Sequence, residues 1–266
     1  ILDLEDSVPP AEKDAARHIV RNALRTLDFF GAERMVRINQ GELGMQDLEA
    51  IVPHNVHTIL LPKAETADQV IAMEAKVQAI LKEQGLKQKI YYMPILESAR
   101  GVLNAYEIAT ASNNNVGLAM GLEDYTADIG TQRTLEGKES FFARSMLVNA
   151  ARAAGIQPID TVFSDVSNEA ALRESVRVTK SMGFDGMGCI HPRQIKPIHE
   201  EFAPAEAEIL KAKRIIVAAD EAEAKGLGVV AVGSKMIDPP VVKRAERTIR
   251  MAVDTGLLVE NWKELD

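Results

Sequence analysis

The stretch TILLPKAETADQVIAMEAKVQAILKEQGLKQKIYYMPILE, residues 58–97, decides the fold. Two short apolar runs, 58–63 and 90–97, flank a stretch of helical period over 66–84. Nearly uninterrupted apolar strands that alternate with amphipathic helices are typical of a parallel sheet whose two faces are both covered. The stretch therefore predicts one strand–helix–strand unit of an α/β fold.

The same alternation extends along the chain in both directions. Further apolar runs lie at 1–6, 34–39, 116–124, 159–165 and 184–190, and further helical stretches lie at 10–27, 99–112, 139–154 and 168–181. A doubly wound sheet is the rival fold, but the sequence contains no G-x-G-x-x-G, and charged residues follow several different strands. That distribution is typical of a (β/α)₈ TIM barrel, because its strand ends all meet at one mouth.

The first apolar run begins directly at Ile1. We therefore expect it to be the second strand of the barrel, with the first strand and its helix, about thirty residues, lying upstream. The predicted domains are a catalytic barrel over 1–200, with strands two to eight, and a C-terminal helical extension or arm over 201–266.

Composition limits the classes of function. The chain has 266 residues, 39 acidic against 31 basic side chains and a formal net charge of −8, which argues against a nucleic-acid partner. No apolar run is long enough to span a membrane. The single cysteine, Cys189, allows no internal disulfide, so a cytoplasmic protein is expected.

Charged residues at the predicted strand ends suggest a site for a metal and an anion. Arg37 and Lys63 follow neighbouring strands, and Glu97 and the pair Glu123 and Asp124 follow the next two. Mg²⁺ typically takes one or two protein carboxylates, and the planar guanidinium of Arg37 could bind a substrate carboxylate through two parallel hydrogen bonds. A buried ion pair between Arg37 and Glu97 is the alternative, and spacing does not choose between them.

Other positions also allow two interpretations. Gly121 and Leu122 either let main-chain N–H groups approach an anion or simply end a strand tightly. Asp3 and Glu5 share one strand face, and these acids either line the mouth or favour the start of the next helix. Asp238, followed by two prolines, has the pattern of a helix N-cap.

Seven motifs, in this order, give the chain a family resemblance. They are LDLEDSVPPAEKDAAR (2–17), VRIN (36–39), LPKAE (61–65), ILESARG (95–101), GLEDY (121–125), GFDGMGCIHPRQI (183–195) and KMIDPP (235–240). The chain resembles the CitE-like branch of the HpcH/HpaI aldolase family, which includes the citrate lyase β subunits. The segments 133–144 and 160–165 resemble those β subunits most.

The resemblance implies a Mg²⁺-dependent carbon–carbon lyase that cleaves a citryl thioester to oxaloacetate and an acetyl thioester. Glu97 and Asp124 would bind Mg²⁺, and Arg37 and Glu97 would bind substrate. The keto-acid product would lie against Gly121, Leu122, Glu123 and Asp124.

The resemblance also implies supporting groups and partners. Glu5, Asp6 and Lys63 would lie behind the metal ligands, and Ile190 and His191 would lie near the thioester, carried by CoA or an acyl carrier protein. Asp238 would reach into the mouth of a neighbouring subunit and transfer the proton there. A homo-oligomer, a trimer or its multiple, is therefore expected, and other citrate lyase subunits would be further partners. A stand-alone citramalyl-CoA or malyl-CoA lyase is one alternative, and a non-catalytic structural subunit is another.

Overall fold

The computed structural model describes residues 1–224, 226, 230–232 and 235–264. The chain forms two compact units, Ile1–Gln194 and Ile195–Asp266. The division falls earlier than the limit at residue 200 that the sequence suggests for the barrel. The assignment of 201–266 as a subunit-crossing extension stays a prediction.

The first unit is built on a seven-stranded parallel sheet whose strands follow one another in chain order. Its strands are β1 Leu2–Asp3, β2 Met35–Arg37, β3 Thr58–Leu61, β4 Tyr91–Leu96, β5 Gly117–Met120, β6 Gln157–Asp160 and β7 Gly186–Met187. A doubly wound sheet reverses its strand order at a switch point, and this sheet has no reversal among the strands that the structure describes. The predicted fold, a TIM-type α/β barrel, is confirmed.

Helices follow the strands; the sequence pattern predicts those at 10–27, 66–84, 99–112, 139–154 and 168–181, but not the two over 41–51 and 122–128. They are α1 Lys13–Thr26, α2 Gly41–Ile51, α3 Ala67–Glu83, α4 Ala99–Leu103, α5 Ala105–Thr110, α6 Leu122–Asp128, α7 Phe141–Ala154 and α8 Glu169–Met182. The predicted helix over 99–112 is two helices, interrupted at Asn104, whose side-chain amide donates to the Glu65 carbonyl.

Two apolar clusters pack against the two faces of the sheet. Val36, Ile59 and Tyr92 belong to the large cluster with the helices, whereas their chain neighbours Leu60 and Met93 belong to a smaller cluster that includes residues of three other strands. Successive side chains of a strand lie on opposite faces, so both faces are buried. This explains why the strands are apolar almost without interruption.

In its described residues, the second unit contains three α-helices and a strand pair. Its elements are α9 Ile195–Phe202, α10 Glu206–Ala224, β8 Val230–Val232, β9 Lys235–Ile237 and α11 Pro239–Asp254. The strands pair antiparallel, within the C-terminal extension that the sequence predicts over 201–266. Residues 225, 227–229, 233–234 and 265–266 of that predicted extension lie outside the described residues.

No helix in the described part of the chain is long and apolar enough to cross a lipid bilayer.

Candidate active site

The carboxyl ends of parallel strands meet at one edge of the sheet, and the charged residues lie there. Glu5 follows β1, Arg37 ends β2, Lys63 follows β3, Glu97 follows β4 and Asp124 lies just after β5. An ion pair connects Glu5 with Arg37, and a hydrogen bond and an ion pair connect Lys63 with Glu97 and Asp124.

Arg37 is held by the acidic segment that follows β1. Its Nε donates to Asp3 Oδ1 at 2.8 Å and its Nη2 to Asp3 Oδ2 at 2.6 Å, because the register of β1 and β2 places Asp3 opposite Arg37. Nη1 lies 3.1 Å from Glu5 Oε2 and 3.8 Å from Asp6 Oδ2. The forked face predicted to bind a substrate carboxylate is thus occupied by Asp3, and Nη1 is the donor nearest to Glu5.

This ion pair changes the pKa values of both partners. The hydrogen bond to Asp3 raises the pKa of Arg37 above its usual value. Burial alone would raise the pKa of Asp3, but hydrogen bonds from Arg37 and Ser7 outweigh it, and the pKa is well below its usual range. Both groups are therefore charged at any physiological pH.

Glu97 is deeply buried, with 5% of its surface exposed. Its Oε1 accepts the main-chain N–H of Lys63 at 2.8 Å. Burial, reinforced by the negative charges of Asp124 and Glu5, raises the pKa of Glu97 to about 7. The carboxylate form is therefore costly unless a cation comes close.

Gly121 lies at the junction of β5 and α6, and its lack of a side chain leaves room for the side chain of Glu97. A Cβ atom added to Gly121 would lie 2.4 Å from Glu97 Oε2 and 2.8 Å from Glu97 Cβ, which is closer than any real contact. The φ of Gly121, −107°, is accessible to any residue, so the need for glycine here is one of space and not of backbone conformation.

Lys63 connects the two predicted metal ligands. Its Nζ lies 3.2 Å from Asp124 Oδ1, while its N–H binds Glu97. Its φ of +48° places it in the left-handed region, which is uncommon for residues other than glycine. Burial alone would lower the pKa of Lys63, but the pair with Asp124 and the charges of Glu5 and Asp6 raise it.

Glu5 lies behind Arg37, with 4% of its surface exposed. Its Oε1 accepts from Gln40 Nε2 at 2.9 Å, and the Lys13 ammonium binds the main-chain carbonyls of Leu4 and Glu5. Burial raises the pKa of Glu5, and its Oε2 lacks a hydrogen bond of good geometry. This oxygen is buried and lies 3.1 Å from Arg37 Nη1, so the guanidinium charge compensates it.

The remaining predicted residues are placed differently. Glu123 is exposed and pairs with Arg133 at 2.9 Å, beside a cavity of about 650 Å³. The main chain of Ile190 donates to Gln194, and His191 Nδ1 accepts from the Arg193 N–H, so both belong to a local turn.

Asp238 lies in the second unit, at the start of α11. Its side chain accepts the main-chain N–H of Val241 at 3.2 Å, which is the N-cap role that its sequence pattern predicts. A capping carboxylate keeps lone pairs available, so the cap does not exclude a second role in proton transfer.

The residues present fit a Mg²⁺ ion better than a transition metal. No cluster of three or more His, Cys, Asp or Glu in the described ranges has the arrangement of a complete metal centre. Mg²⁺ needs only one or two protein carboxylates and leaves its other positions to water and substrate. Glu97 and Asp124 supply such oxygens, and the raised pKa of Glu97 marks a position where a positive charge would be stabilised.

Asp3 is a site residue whose pairing with Arg37 was not predicted from the sequence. The signal was present, since aligning LDLED with VRIN as neighbouring parallel strands places Asp3 beside Arg37. Asp47 is a second such residue: buried on α2, it accepts from the main chain and side chain of Asn39, both at 2.8 Å, and so fixes the chain after β2.

An α/β barrel with two carboxylates and an anchored arginine at its strand ends is an arrangement suited to metal-assisted chemistry on an anionic substrate. Residues 1–192 match the family model described as HpcH/HpaI aldolase/citrate lyase. The chain belongs to this family, and the resemblance seen in the motifs is confirmed.

Particular relatives are more informative. The chain is 41% identical over 255 residues to the citrate lyase subunit beta of Leuconostoc mesenteroides subsp. cremoris, which covers 95% of this chain and 84% of that protein. It is 32% identical to the human mitochondrial citramalyl-CoA lyase, over 95% of this chain and 78% of that protein. The crystal structure of CitE from Mycobacterium tuberculosis, in complex with magnesium, acetoacetate and coenzyme A, superposes with a TM-score of 0.76 at 33% identity, covering 94% of this chain and 88% of that one.

Proposed function

We propose that this protein is a Mg²⁺-dependent carbon–carbon lyase that cleaves a citryl thioester into oxaloacetate and an acetyl thioester. The observation that carries the proposal is the pairing of Glu97 and Asp124 through Lys63 at adjacent strand ends, next to the anchored Arg37. The likeness to citrate lyase β subunits across 95% of the chain supports the citryl substrate over other anions.

Glu97 and Asp124 would hold the Mg²⁺, with Glu5 and Asp6 behind them as acceptors for water. When bound, the ion supplies Lewis-acid polarisation of the substrate hydroxyl and carboxylate oxygens. Because the pKa of Glu97 is raised to about 7, its carboxylate form and therefore metal affinity should increase as the pH rises through neutrality.

The remaining chemistry belongs to the side chains of this chain. Arg37, fixed by Asp3, would direct Nη1 toward the oxygen from which the hydroxyl proton leaves, where its charge stabilises the developing alkoxide. The carbon–carbon bond then breaks as the alkoxide becomes the ketone of oxaloacetate. Its electron pair passes to the thioester enolate, which takes up a proton at carbon.

Asp238 would carry out the proton transfer, delivered by the second unit of a neighbouring subunit. This role rests on the family resemblance of KMIDPP and makes a homo-oligomer, a trimer or its multiple, the active form. The main chain of Gly121, Leu122, Glu123 and Asp124 would lie against the keto acid.

Thioester binding and assembly complete the proposal. Ile190 and His191 would lie near the thioester arm, carried by an acyl carrier protein or by CoA, and other citrate lyase subunits would be partners. The barrel over 1–200 would be catalytic and the extension over 201–266 would cross the subunit interface. The reaction would take place in the cytoplasm.

The test is Mg²⁺-dependent release of oxaloacetate from citryl-CoA, measured beside citramalyl-CoA and malyl-CoA. We expect oxaloacetate, lost in Glu97→Ala and Asp124→Ala and retained in Glu83→Ala, an exposed position on α3. Pyruvate from citramalyl-CoA or glyoxylate from malyl-CoA, without oxaloacetate, would assign the chain to the stand-alone lyases. No product from any thioester, including a carrier-bound one, would favour a non-catalytic subunit.

A further inference from the structure

Lys63 is in contact with both carboxylates to which we assign the metal. Its main-chain N–H donates to Glu97 Oε1 at 2.8 Å, and its ammonium Nζ lies 3.2 Å from Asp124 Oδ1. The two contacts use different parts of the residue, so one can open while the other is kept.

The backbone of Lys63 is held in a costly conformation. A non-glycine residue at φ +48° lies in a sparsely populated region and persists only where surrounding contacts fix it. Here the next residue, Ala64, donates its N–H to the Ile95 carbonyl at 3.0 Å, and Lys63 donates to Glu97. The turn after β3 is therefore tied to β4 on both sides of the Lys63 peptide unit.

The side chain of Lys63 is the more easily displaced of the two strand-end cations. It is 36% exposed, and its partner Asp124 is 38% exposed, so the ammonium can move to water without uncovering a buried group. Arg37, in contrast, is fixed by two bonds to Asp3 and by the nearby Glu5. A cation that binds between Glu97 and Asp124 therefore has to displace one positive charge, the ammonium of Lys63.

We propose that Lys63 is the internal counter-cation of the site: in the metal-free protein its ammonium neutralises Asp124, and the divalent ion takes over this position while the Lys63 N–H continues to hold Glu97. The inference rests on the metal site of the proposed function and adds a positioning residue to it. As a consequence, Lys63 holds Glu97 and Asp124 together when no metal is bound. It also lowers the affinity of the site for metal, because its ammonium must leave Asp124 before the ion can bind.

The test measures Mn²⁺ binding to the full chain by electron paramagnetic resonance, without substrate. Lys63→Met removes the charge with an unbranched side chain that keeps the main-chain bond. We expect it to bind Mn²⁺ about fivefold more tightly, the change expected from losing one half-exposed competing ion pair. Lys63→Arg should bind as the wild type does. Lys76→Met should do so too, since it removes an ammonium on α3 that pairs with Glu49 on α2.

A second measurement uses the wild-type protein and does not depend on how a variant folds. Acetylation of individual lysines is followed by mass spectrometry with and without Mg²⁺. We expect Lys63 to react faster when Mg²⁺ is present, because its ammonium has left Asp124, with Lys76 unchanged as the internal reference.

Equal or weaker Mn²⁺ binding by Lys63→Met, or unchanged or slower acetylation of Lys63 with Mg²⁺, would overturn the inference and leave the metal site intact. Absence of Mn²⁺ binding in every variant and in the wild type would instead overturn the proposed metal site, and the inference with it.

Discussion

Between about pH 4.5 and pH 7, Glu97 is mostly protonated in the folded protein and mostly ionised in the unfolded chain. Its pKa rises from the ordinary 4.5 to about 7 on folding, mainly through burial. Between these pH values the folded state binds more protons, so the metal-free protein loses stability as the pH rises, by up to about 3 kcal/mol in total. Glu97→Gln removes that loss and should raise the melting temperature of the metal-free protein at pH 8.

Thermal melts in EDTA at pH 4.5 and at pH 8 check this prediction. The variant should gain stability over the wild type at pH 8 and little at pH 4.5, where Glu97 is protonated in the folded state and still half protonated in the unfolded chain. Glu83→Gln, on the exposed surface of α3, is the matched control. Equal stability of Glu97→Gln and wild type at pH 8 would show that the folded protein does not resist ionisation of Glu97.

Asp3 fixes the direction of the Arg37 guanidinium through two hydrogen bonds. Asp3→Asn replaces a charged two-oxygen acceptor by a neutral amide with one acceptor oxygen, so Arg37 loses its fixed orientation. We expect kcat/KM to fall at least about tenfold, as for a loosened transition-state contact. Mn²⁺ affinity should change little, because neither Glu97 nor Asp124 contacts Asp3 in the structure.

Steady-state kinetics and Mn²⁺ binding on the same preparation separate these effects. Asp14→Asn is the control, since Asp14 pairs with Arg17 on an exposed surface of α1. Unchanged kcat/KM in Asp3→Asn would mean that Arg37 needs no anchor or takes no part in the reaction.

At the level of elements, strands were easier to predict than helices. Each strand of the first unit overlaps its predicted apolar run because both faces of the sheet are covered and its residues are apolar on both. The helix α2 was not predicted, since Gly41 and Gly44 lower its helical propensity. Gly44 is explained only by packing, because an added Cβ would lie 2.1 Å from the Asn39 carbonyl oxygen.

The junction of β5 and α6 depends on the small size of Gly121. Gly121→Ala would place a methyl group 2.4 Å from Glu97 Oε2, so Glu97 must move or the junction must open. We expect Mn²⁺ affinity to fall at least about tenfold and stability to fall by about 1–3 kcal/mol, the usual cost of overpacking. Mn²⁺ titration and urea unfolding measure the two quantities.

Gly186→Ala in β7 is the matched control for Gly121→Ala. Its added Cβ would lie 3.6 Å from Ile159 Cδ1, an ordinary contact, and we expect Mn²⁺ affinity within twofold of wild type. Wild-type Mn²⁺ affinity in Gly121→Ala would contradict the placement of the metal at Glu97.

For the whole molecule, the sequence predicted which residues lie at the strand ends but not which of them pair. Arg37, Glu97 and Asp124 follow from the rule that parallel strands end at one edge. The pairing of Arg37 with Asp3, and of Lys63 with Asp124, depends on strand register and side-chain reach, which spacing along the chain does not determine. Asp238 lies in the second unit, and its role in catalysis stays a prediction.

If Asp238 acts in the site of a neighbouring subunit, two inactive variants should restore activity together. Glu97→Gln disables the metal site, and Asp238→Asn removes the proton carrier while keeping a good N-cap, since asparagine caps helices as well as aspartate does. In an equal, random mixture within a cyclic oligomer, about a quarter of the sites combine an intact Glu97 with an intact neighbouring Asp238. Co-expression with two affinity tags, followed by purification through both tags, should therefore yield a lyase with measurable activity.

The same experiment with the double variant Glu97→Gln/Asp238→Asn and the wild type gives the reference for random assembly. Each variant alone must assemble like the wild type and melt at no lower temperature, which excludes loss of folding as the cause of inactivity. If the mixed oligomer has no lyase activity while co-expressed wild-type chains are fully active, Asp238 acts in its own subunit's site or takes no part in catalysis. Restored activity would mean that the second unit supplies Asp238 to the active site of a neighbouring subunit. The enzyme would then be active only when assembled.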